Sequence, residues 1–274
     1  MTRYAEVIGD PITQSKSPTI HRFWLEKLGI EGDYHATRVT EAELPDYLAE
    51  RRADPDWLGC NVTMPLKQAV MAQLNRIEAP ADAIGAVNTI TRTPDGHLVG
   101  TNTDAAGFLE PLTQVLQASH LFRMARILGA GGAARAIAHA LATHNFTLVI
   151  AARRTGQASE LVDSLPRETQ THTTSLDSFA NPTDFAFDDR IGLLDLVVNA
   201  SPLGMRGKAP LTFDWSHAPP GAIAYDIVTD PVETEFLKAA REAGHETIDG
   251  LAMLIGQAAE AFRLFFVHAA PRQF

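Results

Sequence analysis

Short apolar runs alternate with segments of helical periodicity through the first hundred residues of the chain. Residues 5–8 form an apolar run that stops at a Gly-Asp-Pro turn, which predicts a strand. After Pro18, apolar residues recur at helical spacing until Gly29, which predicts a helix between them. The same patterns predict strands over residues 34–39 and 57–62, helices over 41–52, 65–74 and 105–116, and a hairpin of strands 87–91 and 98–100. This part of the chain is therefore predicted to be an α/β unit.

From residue 125 onward the helical segments become rich in alanine and the strands become continuously apolar. Apolar runs without polar alternation are typical of parallel strands that helices cover on both faces. The predicted elements are strands over residues 126–128, 147–151, 193–199 and 222–228, with a helix over 133–143. The sequence therefore predicts a second α/β unit with a parallel sheet.

The composition is that of a globular chain with excess negative charge. Hydrophobic residues make up 45% of the 274 residues and charged residues 20%, which excludes intrinsic disorder. The formal net charge of −10 repels phosphate backbones and anionic lipid, so we expect no nucleic acid and no membrane as a partner.

The single cysteine, Cys60, allows no internal disulfide, which favours a reducing compartment, and we expect a cytoplasmic protein. The histidines form no ligand array, so we expect no metal.

A glycine-rich turn follows the first strand of the second unit. Gly129 permits a tight turn, Gly131 leaves room for a pyrophosphate beside the backbone, and Ala134 allows close packing of helix and strand. The free amides at the helix start, at Gly132 and Ala133, would face the anion. The pattern predicts a dinucleotide site, and a tight turn without a ligand is the alternative.

The next strand ends in a basic segment, Arg153-Arg154-Thr155. An NAD site usually has an acidic residue there for the ribose hydroxyls, whereas two arginines and a hydroxyl suit a 2′-phosphate. Guanidinium groups bind phosphate through two hydrogen bonds and can also stack on adenine. The sequence therefore predicts NADP as the cofactor, the alternative being a solvated arginine pair.

Lys67 and Asp104 are the candidates for proton transfer. Lys67 begins a predicted helix that Thr63 would cap, and the helix dipole disfavours a cation at that end. Asp104 precedes another predicted helix and, taken alone, would be its N-cap. Because strand ends of an α/β sheet converge on one crevice, we expect Asp104 to hold Lys67 and a substrate hydroxyl in one hydrogen-bond network.

Further polar residues stand at the same predicted strand ends and turns. Asn61, Thr63 and Asn88 follow or end apolar runs, so they would face the same crevice. Ser15 and Ser17 precede the first predicted helix, where their hydroxyls would suit a small carboxylate. A plain helix cap at Ser17 is the alternative.

Taken together, these segments resemble the shikimate dehydrogenase family over nearly the whole chain. The segments that carry the resemblance are Ser15-Lys16-Ser17-Pro18, Asn61-Val62-Thr63-Met64-Pro65-Leu66-Lys67, Ala86-Val87-Asn88-Thr89, Asn102-Thr103-Asp104, the glycine turn, Asn199-Ala200-Ser201-Pro202-Leu203-Gly204-Met205, and residues 249–257. The resemblance implies reversible reduction of 3-dehydroshikimate to shikimate by NADPH. It also implies a catalytic pair, Lys67 and Asp104; substrate-binding residues Ser15, Ser17, Asn61, Thr63, Asn88, Thr229 and Gln257; and cofactor-binding residues Gly129, Gly131, Gly132, Ala133, Arg153, Arg154, Thr155, Asn199, Met205 and Gly250.

The chain departs from the family's pattern at three positions. Thr229 stands where the family commonly carries a tyrosine whose phenol helps to hold the substrate carboxylate. We therefore expect weaker substrate binding, by roughly 1 to 2 kcal/mol for one hydrogen bond to a charged group. Arg153 replaces the family's asparagine beside the cofactor phosphate, and Ala158 replaces a second basic residue that the family often has there.

The resemblance implies two domains. Residues 1–106 and 249–274 would form the substrate-binding and catalytic domain, because Gln257 must rejoin the substrate site, and residues 107–248 would form a Rossmann-type NADP domain. A monomer or a homodimer is expected. Two alternatives remain open: a dehydrogenase with relaxed choice between shikimate and quinate or between the two cofactors, and a non-catalytic binding protein on the same fold.

Overall fold

The computed structural model describes residues 2–180 and 192–271 of the chain. Contacts between residues divide the chain into two compact units, Met1–Gly107 with Ile255–Phe274, and Phe108–Leu254. Each unit contains its own sheet and its own hydrophobic clusters. Within the described residues, no helix is long and apolar enough to cross a membrane.

The first unit is built from strands and helices that alternate along the chain. Gly29 ends the first helix in a left-handed conformation, as the sequence pattern predicts. Its elements are β1 (Tyr4–Gly9), α1 (Ser17–Leu28), β2 (Asp33–Arg38), α2 (Leu44–Ala53), β3 (Trp57–Val62), α3 (Leu66–Ala69), a 3₁₀ turn (Val70–Gln73), β4 (Arg76–Ile77), α4 (Ala79–Ile84), β5 (Thr89–Arg92), β6 (Leu98–Thr101) and the start of α5 (Asp104–Leu109).

The sheet of the first unit is mixed, with the order β2-β1-β3-β5-β6-β4. Strand β1 is parallel to both β2 and β3, whereas β5 is antiparallel to β3. Strands β5 and β6 form the predicted hairpin, with Thr89 opposite Thr101. One apolar cluster covers each face of the sheet; one contains Trp57 and Leu66, and the other contains Trp24 and Phe262, which lies on the C-terminal helix.

The second unit has a parallel sheet, as predicted. Its elements are a 3₁₀ turn (Glu110–Leu112), α6 (Thr113–Gln117), β7 (Phe122–Leu128), α7 (Gly132–Ala142), β8 (Thr147–Ala152), α8 (Thr155–Asp163), β9 (Thr171–Ser175), α9 (Leu176–Ala180), β10 (Leu193–Asn199), a 3₁₀ turn (Trp215–His217), β11 (Ile223–Asp226), α10 (Glu235–Glu242), β12 (Glu246–Ile248) and the start of the C-terminal helix α11 (Gly250–Phe266). The strand order is β12-β11-β10-β7-β8-β9, and each neighbouring pair is parallel. This is the doubly wound order: β8 and β9 are added on one side of β7, and β10, β11 and β12 on the other. Ligands bind in such sheets at the switch point between β7 and β10.

Two of the predicted helices are interrupted in the structure. The predicted helix over residues 65–74 is only the four-residue α3 and a 3₁₀ turn, because the carbonyl of Lys67 accepts a hydrogen bond from the amide of Val87 at 2.8 Å. The predicted helix over residues 105–116 breaks into α5, a 3₁₀ turn and α6 around Pro111, which has no amide hydrogen to donate.

Candidate active site

Lys67 and Asp104 form an ion pair in the first unit. The Lys67 Nζ lies 2.5 Å from Asp104 Oδ2, and only 15% and 6% of the two side chains are exposed. Asp104 does not cap its own helix: its amide is bound by Asn102 Oδ1 at 3.0 Å, and the Thr103 carbonyl accepts the first helical hydrogen bond, from Gly107. The carboxylate is therefore free to pair with the amine.

Asn88 holds the other oxygen of the same carboxylate. Its Nδ2 donates to Asp104 Oδ1 at 2.8 Å, and its Oδ1 accepts from the backbone amide of Thr103 at 2.8 Å. Because a backbone amide can only donate, the Thr103 amide fixes which end of the Asn88 side chain faces Asp104. The amide group of Asn88 must therefore point at the carboxylate.

Asn61, Thr89 and Gln257 extend this hydrogen-bonded group. Asn61 Nδ2 donates to Thr89 Oγ1 at 3.0 Å, and Thr89 Oγ1 donates to Asn88 Oδ1 at 2.9 Å. Gln257, on helix α11, has its Oε1 3.5 Å from Asn88 Nδ2. The structure thus brings five residues singled out from the sequence, Lys67, Asp104, Asn61, Asn88 and Gln257, into one network.

Sequence reasoning missed several members of this network, among them Thr103, whose hydroxyl accepts from Asn88 Nδ2 at 3.0 Å. Thr89 follows Asn88 directly, so its place beside a predicted site residue was the available signal. Tyr34 donates from its hydroxyl to Asn61 Oδ1 at 2.6 Å, yet it lies in a different strand, 27 positions away along the chain. Nothing local in the sequence separates Tyr34 from an ordinary core tyrosine.

Ser15 and Thr63 lie in the connections that follow β1 and β3, and Ser17 is the first residue of α1, at the end of the first connection. Two backbone hydrogen bonds join these connections, from the Thr63 amide to the Ile8 carbonyl at 2.9 Å and from the Asp10 amide to the Met64 carbonyl at 3.1 Å. Because β1 and β3 are parallel neighbours, both connections leave the same edge of the sheet. The three hydroxyl residues therefore follow the strand ends at the same edge as Asn61, which is the next-to-last residue of β3.

The hydroxyls of Ser17 and Thr63 do not cap helices. Lys16 occupies the N-cap position of α1 and Pro65 that of α3, and neither helix has a side-chain cap, so the expected Thr63 cap is wrong. Ser17 is 5% exposed, and in the part of the chain that the structure describes its hydroxyl has no hydrogen bond. A polar ligand at this edge would find an unused hydroxyl there.

The glycine turn of the second unit joins β7 to α7. Gly129 has a positive φ of +126°, and a side chain there would place its Cβ 2.6 Å from the carbonyl oxygen of Ala200. Gly131 stands at the N-cap position of α7, and a Cβ there would meet no atom within 4 Å. The amides of Gly132 and Ala133 begin the helix beside this open space. The first glycine is required by the fold, whereas the second leaves room for a ligand.

Arg153, Arg154 and Thr155 follow the end of β8 and are exposed. Arg154 occupies the N-cap position of α8, and Thr155 is its first residue. Neither guanidinium group forms an ion pair or hydrogen bond among residues 2–180 and 192–271. Ala158 is fully buried in the core of the unit, so it offers nothing to a phosphate. These two arginines are available to an anion, which fits the 2′-phosphate of NADP.

Asn199 is completely buried at the end of β10, and both polar atoms of its side chain form hydrogen bonds within the protein. Its Nδ2 donates to the Leu203 carbonyl at 2.8 Å and to Asp226 Oδ1 at 3.0 Å, and its Oδ1 accepts from Ser201 Oγ at 2.8 Å. Burial raises the pKa of Asp226 above its ordinary value. The side chain thus shapes the connection after β10, and its contact with a cofactor stays a prediction.

Met205 and Thr229 lie in two further connections of the second unit, and Gly250 is the first residue of α11. Met205 and Thr229 are partly exposed, and the amide of Arg206 donates to the Asp230 carbonyl at 2.9 Å, which joins their two segments. A Cβ at Gly250 would lie 2.3 Å from the Val228 carbonyl oxygen, so α11 can begin there only with glycine. In the described parts of the chain, no group of three or more His, Cys, Asp or Glu residues could hold a metal ion.

Comparison with known proteins decides the family. Residues 7–90 match the family model of the shikimate dehydrogenase substrate binding domain. The chain is 50% identical to the shikimate dehydrogenase (NADP(+)) of Sphingopyxis alaskensis over 98% of this chain and 92% of that protein. This chain belongs to the shikimate dehydrogenase family.

Solved structures of the shikimate dehydrogenase family share the fold. Shikimate 5-dehydrogenase from Thermus thermophilus, solved with NADP(H) and shikimate, is 34% identical, with a TM-score of 0.81 over 99% of this chain and 95% of that chain. Quinate dehydrogenase from Corynebacterium glutamicum, solved with NAD, is 31% identical, with a TM-score of 0.82 over 98% of this chain and 95% of that chain. Solved structures with this fold thus include one with NADP(H) and shikimate and one with NAD.

Gly131→Ala tests the open space at the start of α7. The glycine has a φ of −82°, which alanine also adopts, so the variant should unfold at the wild-type temperature. The added methyl would occupy the space where a pyrophosphate approaches the backbone, so we expect the KM for NADPH to rise roughly tenfold or more. Initial rates and a thermal melt measure both quantities.

Gly129→Ala is the matched control for this prediction. Its Cβ would meet the carbonyl of Ala200, so this variant should lose stability rather than cofactor affinity alone. An unchanged KM for NADPH in a folded Gly131→Ala variant would contradict a pyrophosphate at this turn.

Proposed function

We propose that this chain catalyses the reversible NADPH-dependent reduction of 3-dehydroshikimate to shikimate, a step of aromatic amino-acid biosynthesis. The observation that carries the proposal is the nearly buried ion pair of Lys67 with Asp104, whose carboxylate is also bound by Asn88. Similarity along almost the whole chain to relatives named shikimate dehydrogenase (NADP(+)) supports the same reaction.

Lys67 and Asp104 act as the catalytic pair. The reaction interconverts a ring carbonyl and a secondary alcohol, so one oxygen must gain or lose a proton. NADPH, when bound, supplies the hydride for the carbonyl carbon. The Lys67 ammonium donates to the carbonyl oxygen as negative charge develops on it, and gives up the proton that completes the hydroxyl. Asp104 keeps the ammonium in place through Oδ2 and accepts a hydrogen bond from a ring hydroxyl.

The polar residues around this pair bind the rest of the substrate. Asn61, Thr63, Asn88 and Gln257 bind ring hydroxyls, because their amides and hydroxyls can both donate and accept hydrogen bonds. Ser15 and Ser17 bind the carboxylate. The hydroxyl of Ser17 supports this role, since it has no hydrogen bond within the described residues and is available to a carboxylate.

The second unit would hold NADP through backbone amides and arginines. Gly129, Gly131, Gly132 and Ala133 form the turn that takes the pyrophosphate, and the start of α7 directs its amides at the anion. The segment Arg153-Arg154-Thr155 binds the 2′-phosphate, supported by the two guanidinium groups that lack partners among the described residues. Met205 and Gly250 would contact the nicotinamide, and Asn199 bonds to the segment that carries Met205.

The proposal also assigns a separate role to each domain. Residues 1–106 and 249–274 bind and convert the substrate, and residues 107–248 bind NADP. We also propose that the chain works in the cytoplasm, supported by its one buried, unpaired cysteine, and that it acts as a monomer or a homodimer.

A quinate dehydrogenase is the second candidate function. The similarity to the quinate dehydrogenase solved with NAD favours it, as does Thr229, where the family commonly carries a tyrosine. Rates with shikimate and with quinate, each measured with NADP⁺ and with NAD⁺, separate the two candidates. Higher kcat/KM for quinate with NAD⁺ would contradict the main proposal, and no activity in any combination would favour a binding protein.

Lys67→Ala removes the ammonium that carries the proposed proton transfer. Turnover of shikimate with NADP⁺ should fall by roughly 10²- to 10⁴-fold, the range for loss of a general acid or base, while shikimate still binds. Stopped-flow absorbance of NADPH measures turnover, and isothermal titration measures binding. Lys238→Ala, which removes an exposed lysine of α10, should keep wild-type turnover. Turnover retained by Lys67→Ala would refute the catalytic assignment.

Arg154→Asp tests the choice of cofactor. The change removes a phosphate ligand and introduces the acidic residue that suits the ribose hydroxyls of NAD, so the NADP⁺ preference should be abolished, with the ratio of kcat/KM falling roughly 100-fold. Arg167→Asp changes the charge equally at an exposed position outside the segment and should keep the ratio. An unchanged ratio in Arg154→Asp would mean that the arginine pair does not read the phosphate.

Thr229→Tyr tests the departure at the proposed carboxylate site. A phenol restores a hydrogen bond to a charged group, so the KM for shikimate should fall by roughly fivefold to thirtyfold. Thr229→Phe adds the same ring without the hydroxyl and should give no such gain. If both variants behave alike, or if the tyrosine leaves the KM unaltered, residue 229 does not contact the carboxylate.

A further inference from the structure

Tyr34 reaches the substrate-binding network from a strand that does not adjoin it. Tyr34 lies on β2 and pairs with Ala5 of β1, whereas Asn61 lies on β3 and pairs with Val7 of β1. Paired residues point to the same face of a sheet, as do residues two apart along a strand, so all four share one face. The Tyr34 side chain therefore crosses β1 on this face to place its hydroxyl 2.6 Å from Asn61 Oδ1.

The ring of Tyr34 is buried among aromatic side chains, His21 and Phe265. The residue is fully buried, and burial raises the pKa of its phenol far above the ordinary value, so the hydroxyl stays protonated. His21 stacks on the ring at 3.9 Å between centroids, and burial lowers the pKa of His21 to about 3, so the imidazole stays neutral. Among the described residues, Asn61 is the sole hydrogen-bond partner of the phenol.

The polarity of the network determines which end of Asn61 meets Tyr34. The Thr103 amide donates to Asn88 Oδ1, and the hydroxyl of Thr89 donates to the same oxygen. Thr89 has only one hydroxyl hydrogen to donate, so it must accept from Asn61, which it does from Nδ2 at 3.0 Å. The Oδ1 of Asn61 is therefore left facing Tyr34, and only a donor can satisfy it there.

We infer that Tyr34 is a positioning residue of the substrate site: its hydroxyl holds the Asn61 side chain in the orientation that binds a ring hydroxyl of the substrate. This inference rests on the proposed function. Asn61 is 5% exposed, and its Nδ2 is taken up by Thr89 and by the Asn88 carbonyl at 3.3 Å. The second lone pair of Oδ1 remains for the substrate hydroxyl. Loss of the phenol leaves Oδ1 without its donor, and the side chain is then held only through the bonds of its Nδ2.

Tyr34→Phe removes the hydroxyl and keeps the ring stacked on His21. The KM for shikimate should rise roughly fivefold to tenfold, the loss of about one hydrogen bond, while kcat and the KM for NADP⁺ change less than about twofold. Tyr47→Phe is the matched control, since it removes another buried hydroxyl of the same unit, which donates to Glu6 Oε1 at 2.7 Å outside the network. It should lower the melting temperature comparably and keep the KM for shikimate.

A double variant separates positioning from a general loss of packing. If Tyr34 acts through Asn61, then Tyr34→Phe should raise the KM less than about 1.5-fold in an Asn61→Ala background, because no side-chain amide remains to be held. Multiplicative effects of the two changes, or an unchanged KM in Tyr34→Phe alone, would overturn the inference. A wild-type protein that does not oxidise shikimate would instead refute the proposed function.

A spectroscopic measurement covers the case in which Tyr34→Phe does not fold. A protein that carries 3-fluorotyrosine in place of Tyr34, and is otherwise unchanged, keeps the hydroxyl and the ring. Its ¹⁹F resonance should shift on saturation with shikimate, because the phenol and the substrate share Asn61 Oδ1, whereas the label at position 47 should not respond. A resonance at position 34 that does not move with bound shikimate would overturn the inference.

Discussion

The hydrogen bond from the Thr103 amide to Asn88 Oδ1 sets the polarity of the whole site. A backbone amide cannot reverse its role, so Asn88 must turn its Nδ2 toward Asp104, and Asp104 must act there as an acceptor. The carboxylate then has one oxygen for Asn88 and the other for Lys67. In this way one main-chain group, placed by the end of β6 and the start of α5, determines which side chains donate and which accept.

The Lys67 and Asp104 pair is costly to hold away from water, and the hydrogen bond from Asn88 to Asp104 offsets part of that cost. Desolvation of a buried ion pair can exceed the attraction between its charges, and apolar replacements are often as stable. The pair is therefore weak evidence for stability and better evidence for chemistry. Burial of an ion pair does not by itself mark a site. The Arg126 and Asp195 pair of the second unit is also buried, and burial raises the pKa of Asp195, yet neither residue belongs to a sequence motif of the site.

Much of the fold and part of the site could be predicted because their signals are local. The glycine turn, the strand ends and the hairpin each depend on residues within a few positions of one another, and the structure has all three. The short α3 could not be predicted, since it depends on a hydrogen bond between Val87 and Lys67, which are far apart along the chain. Tyr34 was missed for the same reason: its partner lies in another strand, so its own surroundings in the sequence are those of a core residue.

The site residues differ in whether their polar side-chain atoms already form hydrogen bonds within the protein, and this difference determines how each can bind a ligand. Asn199 has every polar atom of its side chain bonded within the protein, so it can bind a ligand only by giving up an internal bond. Ser17 and Arg154 have no such bonds among the described residues and give up only contacts with water when a ligand arrives. Asn61 lies between these cases, with its Nδ2 engaged and one lone pair of Oδ1 open. A substrate hydroxyl that bonds to Asn61 therefore joins a network whose geometry is already determined, and little ordering remains to be done on binding.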